Sequence, residues 1–204
     1  MSARIAVTGV GVISGLGAGR ELLVQALREG LEPEDDLLDV TLDLEQYRET
    51  PKTYMDRCSD LALAACWLAV RDADLGWKGP EHPGFDCERI GVSLGTAYGP
   101  LDSMLNMTGR VQQKGLRFGS PMIFTHAFVN TPSALIAIEY ELQGPNMTHV
   151  LGDASAAAAL VAAGIADIAV GAVVAEHDVI APAPPIIFTQ FCPYAERLRP
   201  VSVN

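Results

Sequence analysis

The chain has 204 residues, of which 49% are hydrophobic and 19% charged, so it can bury a core and is not a disordered polymer. Its formal net charge is -11, and Lys52, Lys78 and Lys114 are its only lysines. Such a chain repels phosphate backbones and anionic bilayers at long range, which argues against nucleic acid and membrane surfaces as partners.

The acidic residues are concentrated in one stretch, LEPEDDLLDVTLDLEQYRE, at 31–49. A run so rich in carboxylates is typical of a solvated and mobile segment. We therefore expect an acidic loop over about 31–50.

Hydrophobic patterning predicts strands and helices that alternate along the chain. In chain order, the predicted elements are a strand (4–12), a glycine-rich turn (14–19), a helix (20–30), a helix (52–76), a strand (89–99), a helix within 100–115, a helix (130–144), a short strand (147–153), a helix (154–164) and a strand (166–178). The prolines at 181–185 break this pattern, so we expect an irregular tail over about 181–204. The role of segment 100–129 is left open. The alternation predicts one α/β domain over 1–204, with a mixed, mainly parallel sheet and helices on both faces.

The cysteines and the N-terminus predict a cytoplasmic protein. The cysteines lack the spacing of a metal site or a disulfide framework, and we interpret them as reduced thiols; they are Cys58, Cys66, Cys87 and Cys192. The first residues lack the basic and apolar regions of a signal peptide, and no run is long and apolar enough for a membrane span.

Glycines follow the first predicted strand, as in a dinucleotide-binding turn. Gly9, Gly11 and Gly15 give the spacing GxGxxxG, but Ser14 stands where that fingerprint needs its third glycine. We interpret these glycines as packing residues and expect no cofactor.

The stretch GDASA places Asp153 and Ser155 in a small, apolar run and raises a hydrolase as one alternative. A nucleophile elbow needs glycine two residues to each side of the serine, whereas Asp153 and Ala157 stand there. The histidines show no recognisable catalytic or metal-ligand order, and we expect no metal; they are His82, His126, His149 and His177.

Five stretches in order resemble the N-terminal half of the β-ketoacyl-acyl-carrier-protein synthases, which have the thiolase-like fold. They are RIAVTGVGVISGLG, YMDRCSDLALAACWLAVRDADL, IGVSLGTAYG, NTPSALIAIEYELQGPNMT and DASAAAALVAAGIADIAVGAV. GPNMT at 144–148 is the most specific of them, because in that family a similar motif leads into the nucleophile. The resemblance implies a thiolase-like half.

The resemblance also implies where the family's nucleophilic cysteine would stand. Laying LGDASA on the family's motif matches Ala154 and Ser155 and puts Asp153 at the cysteine. A carboxylate is a poor acceptor of an acyl chain from a thioester. The family's two catalytic histidines and its lysine belong to the second half of the fold, and this chain ends at Asn204. We therefore expect no catalysis by the chain alone and assign no confident catalytic residue.

The function implied is that of a non-catalytic assembly or chain-length-type partner in fatty-acid, polyketide or polyene biosynthesis. The alternative is a ketosynthase-like acyltransferase or hydrolase that uses Asp153 and Ser155 with residues lent by a partner. The apolar helices predict a homodimer or a heterodimer with a ketosynthase-like chain. Acyl carrier proteins are acidic, so we expect this acidic chain to contact them only indirectly.

Overall fold

The computed structural model describes residues 7–31, 43–74, 76, 86–165, 170–173 and 186–191. Its strands are β1 (Val7–Ser14), β2 (Gly17–Ala18), β3 (Val92–Gly95), β4 (Asn146–His149), β5 (Val170–Val173) and β6 (Ile186–Phe191). Its helices are α1 (Arg20–Glu29), α2 (Arg57–Asp72), α3 (Leu101–Lys114), α4 (Pro121–Thr125), α5 (Thr131–Glu139) and α6 (Ser155–Ile165). Short 3₁₀ turns occupy Leu44–Tyr47, Cys87–Arg89, Leu116–Phe118 and Gly152–Ala154.

The strands form one mixed sheet in the order β2-β1-β6-β5-β3-β4. β3 pairs in parallel with both β4 and β5, while β6 is antiparallel to both β5 and β1. Four strands, β1, β3, β4 and β5, therefore run in the same direction. The prediction of a mixed sheet that contains parallel strands is confirmed; among the described strands, two pairings are parallel and three are antiparallel.

Alternate residues of β3 separate the two faces of the sheet. Val92 and Leu94 belong to the core that contains α2 and α5. On the other face, the Ser93 hydroxyl donates to the backbone carbonyl of Ala159 in α6, at 2.9 Å. Helices thus cover both faces, as predicted. None of the described helices is both long and apolar enough to cross a bilayer.

The glycines of β1 allow the backbone of α2 to touch the sheet. A Cβ atom on Gly11 would overlap the backbone oxygen of Ala65, and one on Gly9 would overlap that of Ala69. The interpretation of Gly9 and Gly11 as packing residues agrees with this geometry. The helix whose backbone lies against these glycines is α2. The sequence had suggested α1, because α1 directly follows the glycine-rich turn.

The predicted irregular tail contains a strand, which is a correction. β6 occupies Ile186–Phe191 and lies inside the sheet, between β1 and β5. Its β-branched and aromatic residues favour a strand, but the prolines directly before it obscured that signal. The other residues of 181–204 lie outside the described part of the chain.

The end of the predicted acidic loop is packed, which is a second correction; residues 32–42 lie outside the described ranges. Glu139 of α5, whose side chain is only 1% exposed, accepts hydrogen bonds from the backbone amides of Glu49 and Thr50 and from the Thr50 hydroxyl, and it pairs with Lys52. The Glu49 carboxylate accepts from the indole of Trp67 at 3.0 Å. Buried partners thus hold residues 49–52, although the local composition suggested a solvated segment.

Two opposing effects act on the pKa of Glu139. Burial alone would raise the pKa of this carboxyl, but hydrogen bonds from Lys52 and Thr50 outweigh burial and hold the pKa below its usual range. A carboxyl whose pKa is lower in the folded than in the unfolded state stabilises the fold above the unfolded value of about 4.3. This contribution is lost as the pH falls through the folded-state pKa.

Glu139→Gln should reduce the free energy of unfolding at pH 7 by about 2–3 kcal/mol, because it leaves Lys52 without its buried partner. The variant should also lose less stability than the wild type when the pH falls from about 5 to about 3. Urea unfolding at several pH values measures both effects. The matched control is Glu21→Gln, whose side chain is 85% exposed. An equal effect of the two substitutions would contradict this account of Glu139.

Gly11→Ala should destabilise the fold by about 1–3 kcal/mol or more, because the added methyl group meets backbone that cannot rotate away. Gly109→Ala is the control, since Gly109 lies in α3 and a Cβ atom there meets nothing within 4 Å. That change should stabilise α3 by about 0.5–1 kcal/mol. Urea unfolding of both variants tests the pair, and a neutral Gly11→Ala would refute the close contact.

Candidate functional site

The candidate site is the turn between β4 and α6, where residues 150–154 pass the end of β3. β3 and β4 are parallel, with Gly95 opposite His149. The Thr96 backbone amide donates to the carbonyl of His149 at 3.0 Å, which continues the pairing one residue beyond β3. Ends of parallel strands are where α/β folds place their sites, so the turn occupies a favourable location.

Ser155, the first residue of α6, is a structural link in this turn. Its hydroxyl oxygen accepts from the Leu151 amide at 2.8 Å, and it lies 2.8 Å from the Thr96 carbonyl and 2.7 Å from the Gly152 carbonyl, to either of which it can donate. The residue is 2% exposed. Because its hydroxyl serves backbone groups and is buried, Ser155 is poorly placed to act as a nucleophile.

Asp153 lies in the 3₁₀ turn Gly152–Ala154, two residues before the first residue of α6, and it is exposed. Gly152 has φ of 58°, the left-handed conformation that lets the chain enter this turn. A negative charge near a helix N-terminus is favoured by the helix dipole. The turn therefore presents a carboxylate at the surface while it holds the neighbouring hydroxyl inside.

Close backbone contact fixes α6 against β3. A Cβ atom on Gly95 would overlap the backbone of Ser155, so no larger residue fits there. Two residues earlier, Ser93 donates to the Ala159 carbonyl at 2.9 Å, and its oxygen lies 3.2 Å from Nε2 of His149. Since the Ser93 hydroxyl donates its proton to the Ala159 carbonyl, its oxygen can only accept from Nε2 of His149. These contacts set the position of the turn.

Apolar side chains are exposed on both sides of Asp153 in the chain. Leu151, before the 3₁₀ turn, and Val161, on α6, are each 60% exposed, and Leu160 is 37% exposed. Ser155, Ala159 and Ala163 are buried on the side of α6 that faces the sheet. The outer side of α6 is therefore an apolar surface that adjoins the turn.

Other residues singled out in the sequence do not join this site. Cys66 lies in the core, and burial raises the pKa of its thiol, which makes it unreactive. The ring of His126 packs on Tyr54, at 5.0 Å between centroids. His82, His177 and Cys192 fall outside the described residues. Among the residues that the structure places, no cluster of His, Cys, Asp or Glu could hold a metal ion.

The partners of Ser155 could not be read from the sequence. They are backbone groups of Thr96, Leu151 and Gly152, and backbone groups carry no residue-type signal. The only available signal was Gly95, whose missing side chain marks the close approach of α6.

The sheet order and the turn into α6 define a class of protein, the thiolase-like ketosynthase fold. The model of the β-ketoacyl synthase N-terminal domain matches residues 34–176. The chain belongs to this family, which confirms the resemblance described above.

Two curated relatives are similar over much of this chain. One is 3-oxoacyl-(acyl-carrier-protein) synthase 2 of Rhizobium meliloti (strain 1021), 30% identical over 82% of this chain and 45% of the relative. The other is the mitochondrial 3-oxoacyl-(acyl-carrier-protein) synthase of Arabidopsis thaliana, 28% identical over 76% of this chain and 40% of the relative. The matched part is less than half the length of either relative.

Solved structures share the fold at low sequence identity. The ishigamide ketosynthase/chain length factor has a TM-score of 0.71 and 21% identity, covering 95% of this chain and 63% of that one. A β-ketoacyl synthase from Burkholderia phymatum STM815 has a TM-score of 0.62 and 16% identity, covering 89% and 48%. A ketosynthase in complex with its chain length factor from Xenorhabdus doucetiae has a TM-score of 0.60 and 14% identity, covering 93% and 79%.

Ser155→Ala should destabilise the protein by about 1–3 kcal/mol, because Ser155 is buried and its hydroxyl bonds the Leu151 amide and the backbone carbonyls beside it. Ala157→Ser, on an exposed position of the same helix, is the control and should change stability by only a few tenths of a kcal/mol. Urea unfolding measures both. Equal stability of the two variants would show that the Ser155 hydroxyl does not hold the turn.

Proposed function

We propose that this chain is a non-catalytic, ketosynthase-like partner that serves assembly or chain-length control in fatty-acid, polyketide or polyene biosynthesis. The observation that carries the proposal is the exposed carboxylate of Asp153 at the turn into α6, where the family resemblance implies a cysteine.

The chemistry of a carboxylate at this position supports inactivity. Acyl transfer from a thioester to Asp153 would form a mixed anhydride, which is higher in energy than the thioester. A thiol at the same place would be activated, because the start of a helix lowers a cysteine pKa. Ser155 is no substitute, since its hydroxyl is buried and hydrogen-bonded to backbone groups.

Two surfaces support the partner role. The outer side of α6 exposes Leu160 and Val161, and β4 lies at an edge of the described sheet. Apolar surface next to a sheet edge is suited to contact with another protein chain. The partner we propose is a ketosynthase-like chain, a second copy or a different one, as in the complex of a ketosynthase with its chain length factor.

We place this role in the cytoplasm. Cys66 and Cys87 are thiols without a disulfide, which is the usual state of cysteines in a reducing compartment.

The chain alone should release no carbon dioxide above background when incubated with acyl- and malonyl-carrier protein, because Asp153 does not accept the acyl chain. Radiolabelled malonyl groups give the readout, and an active ketosynthase assayed in parallel is the positive control. Condensation that disappears in Asp153→Ala would overturn the proposal in favour of the alternative, a ketosynthase-like acyltransferase. Condensation that disappears only in Ser155→Ala, at unchanged stability, would favour a serine-dependent enzyme.

A further inference from the structure

A second apolar surface lies away from the turn into α6. It is formed by α3, the 3₁₀ turn Leu116–Phe118 and α4 with the residues that follow it, and we call it the α3–α4 surface. Leu116, at 85% exposed, is its most prominent side chain. The exposed apolar residues of this surface are Met104, Leu105, Leu116, Phe118, Met122, Phe124, Phe128 and Val129. A patch of this kind on a soluble domain marks an interaction site.

Beyond Asp102, in the first turn of α3, the charges on the α3–α4 surface are all positive. Arg110 and Lys114 lie one helical turn apart on α3, and the guanidinium of Arg117 lies 5.0 Å from the centre of the Phe118 ring. Residues 103–138 contain no aspartate or glutamate, although the whole chain has a net charge of -11. Within the described residues these three cations form no ion pair. Their charges are therefore available to a partner.

A second copy of the chain is a poor occupant of this surface. In a two-fold dimer the same patch meets itself, so Arg110, Lys114 and Arg117 would approach the same three cations, with one carboxylate of α3, Asp102, to offset them. Like charges placed against each other disfavour a complex. A second copy could offer further carboxylates only from another part of its surface, and such a head-to-tail contact does not close as a dimer.

We propose that the α3–α4 surface binds a different protein chain, whose contact area has an apolar centre and an acidic rim. This inference rests on the proposed function and specifies the chemistry of its partner. The apolar side chains supply the buried centre, and the three cations supply orientation and selection against a second copy.

The experiment uses a charge-reversed chain, Arg110→Glu, Lys114→Glu and Arg117→Glu together, as a defined probe with an acidic rim and the same apolar side chains. The probe is labelled at its N-terminus and titrated with the unlabelled wild type, and fluorescence anisotropy gives the affinity. The two like-charge pairs, wild type with wild type and probe with probe, are measured in the same way. Any contact through α6 or β4 is the same in all three pairs, so it cannot cause a difference in their affinities.

The mixed pair should bind at least about tenfold tighter than either like-charge pair, and this difference should shrink between about 50 mM and about 500 mM salt. A charge-conserving variant, Arg110→Lys, Lys114→Arg and Arg117→Lys together, should bind the probe as the wild type does. The single change Lys114→Glu, at an exposed helix end, should shift affinity in the same direction if the triple variant folds poorly.

Equal affinities of the three pairs would overturn the inference. So would a wild-type pair that binds more tightly than the mixed pair. Flotation of the wild type, but not of the probe, with vesicles of phosphatidylcholine and phosphatidylglycerol would assign the surface to anionic lipid and would also overturn it. Neither result bears on the condensation assay, so the failure of this inference and that of the proposed function are distinguishable.

Discussion

The contact between the backbones of α2 and β1 is the constraint on which the described fold depends. It exists because Gly9 and Gly11 carry no side chain where Ala65 and Ala69 pass. The helix supplies only small side chains on this side, so strand and helix pack closely along their length. Asp72 at the end of α2 accepts a hydrogen bond from the Val10 amide at 2.9 Å, in the part of β1 where its pairing with β6 is irregular.

A glycine also allows close backbone contact on the opposite face of the sheet, where the start of α6 lies against Gly95. Ser155, Thr96 and Leu151 interact through backbone groups and one hydroxyl, so these contacts do not depend on the side chains of Thr96 and Leu151. The turn is held by a glycine and a serine, and Asp153 is exposed within it.

Sequence patterning predicted the sheet and most helices because their signals are local. Buried strands show β-branched runs, α1 ends at Gly30 with φ of 65°, and α5 has Pro132 in its first turn. The exceptions are interactions between residues far apart in the chain. The packing of Glu49 and Thr50 depends on Glu139, about ninety residues later in the chain. The carboxylates near Glu49 and Thr50 in the sequence had predicted a solvated segment instead. The role of Ser155 was hidden because its partners are backbone groups, whereas the placement of Asp153 at the start of a helix followed from the family motif.

Asp56 joins the starts of α2 and α3, and this affects how the chain binds other molecules. One of its oxygens caps α2 by accepting from the Cys58 amide at 2.9 Å, and the other accepts from the Ser103 amide and hydroxyl, at 3.1 and 2.7 Å, at the start of α3. One buried carboxylate therefore links the first turns of α2 and α3. A surface attached to the core in this way is preorganised: a partner meets it already formed, and less of the binding free energy is lost to ordering it.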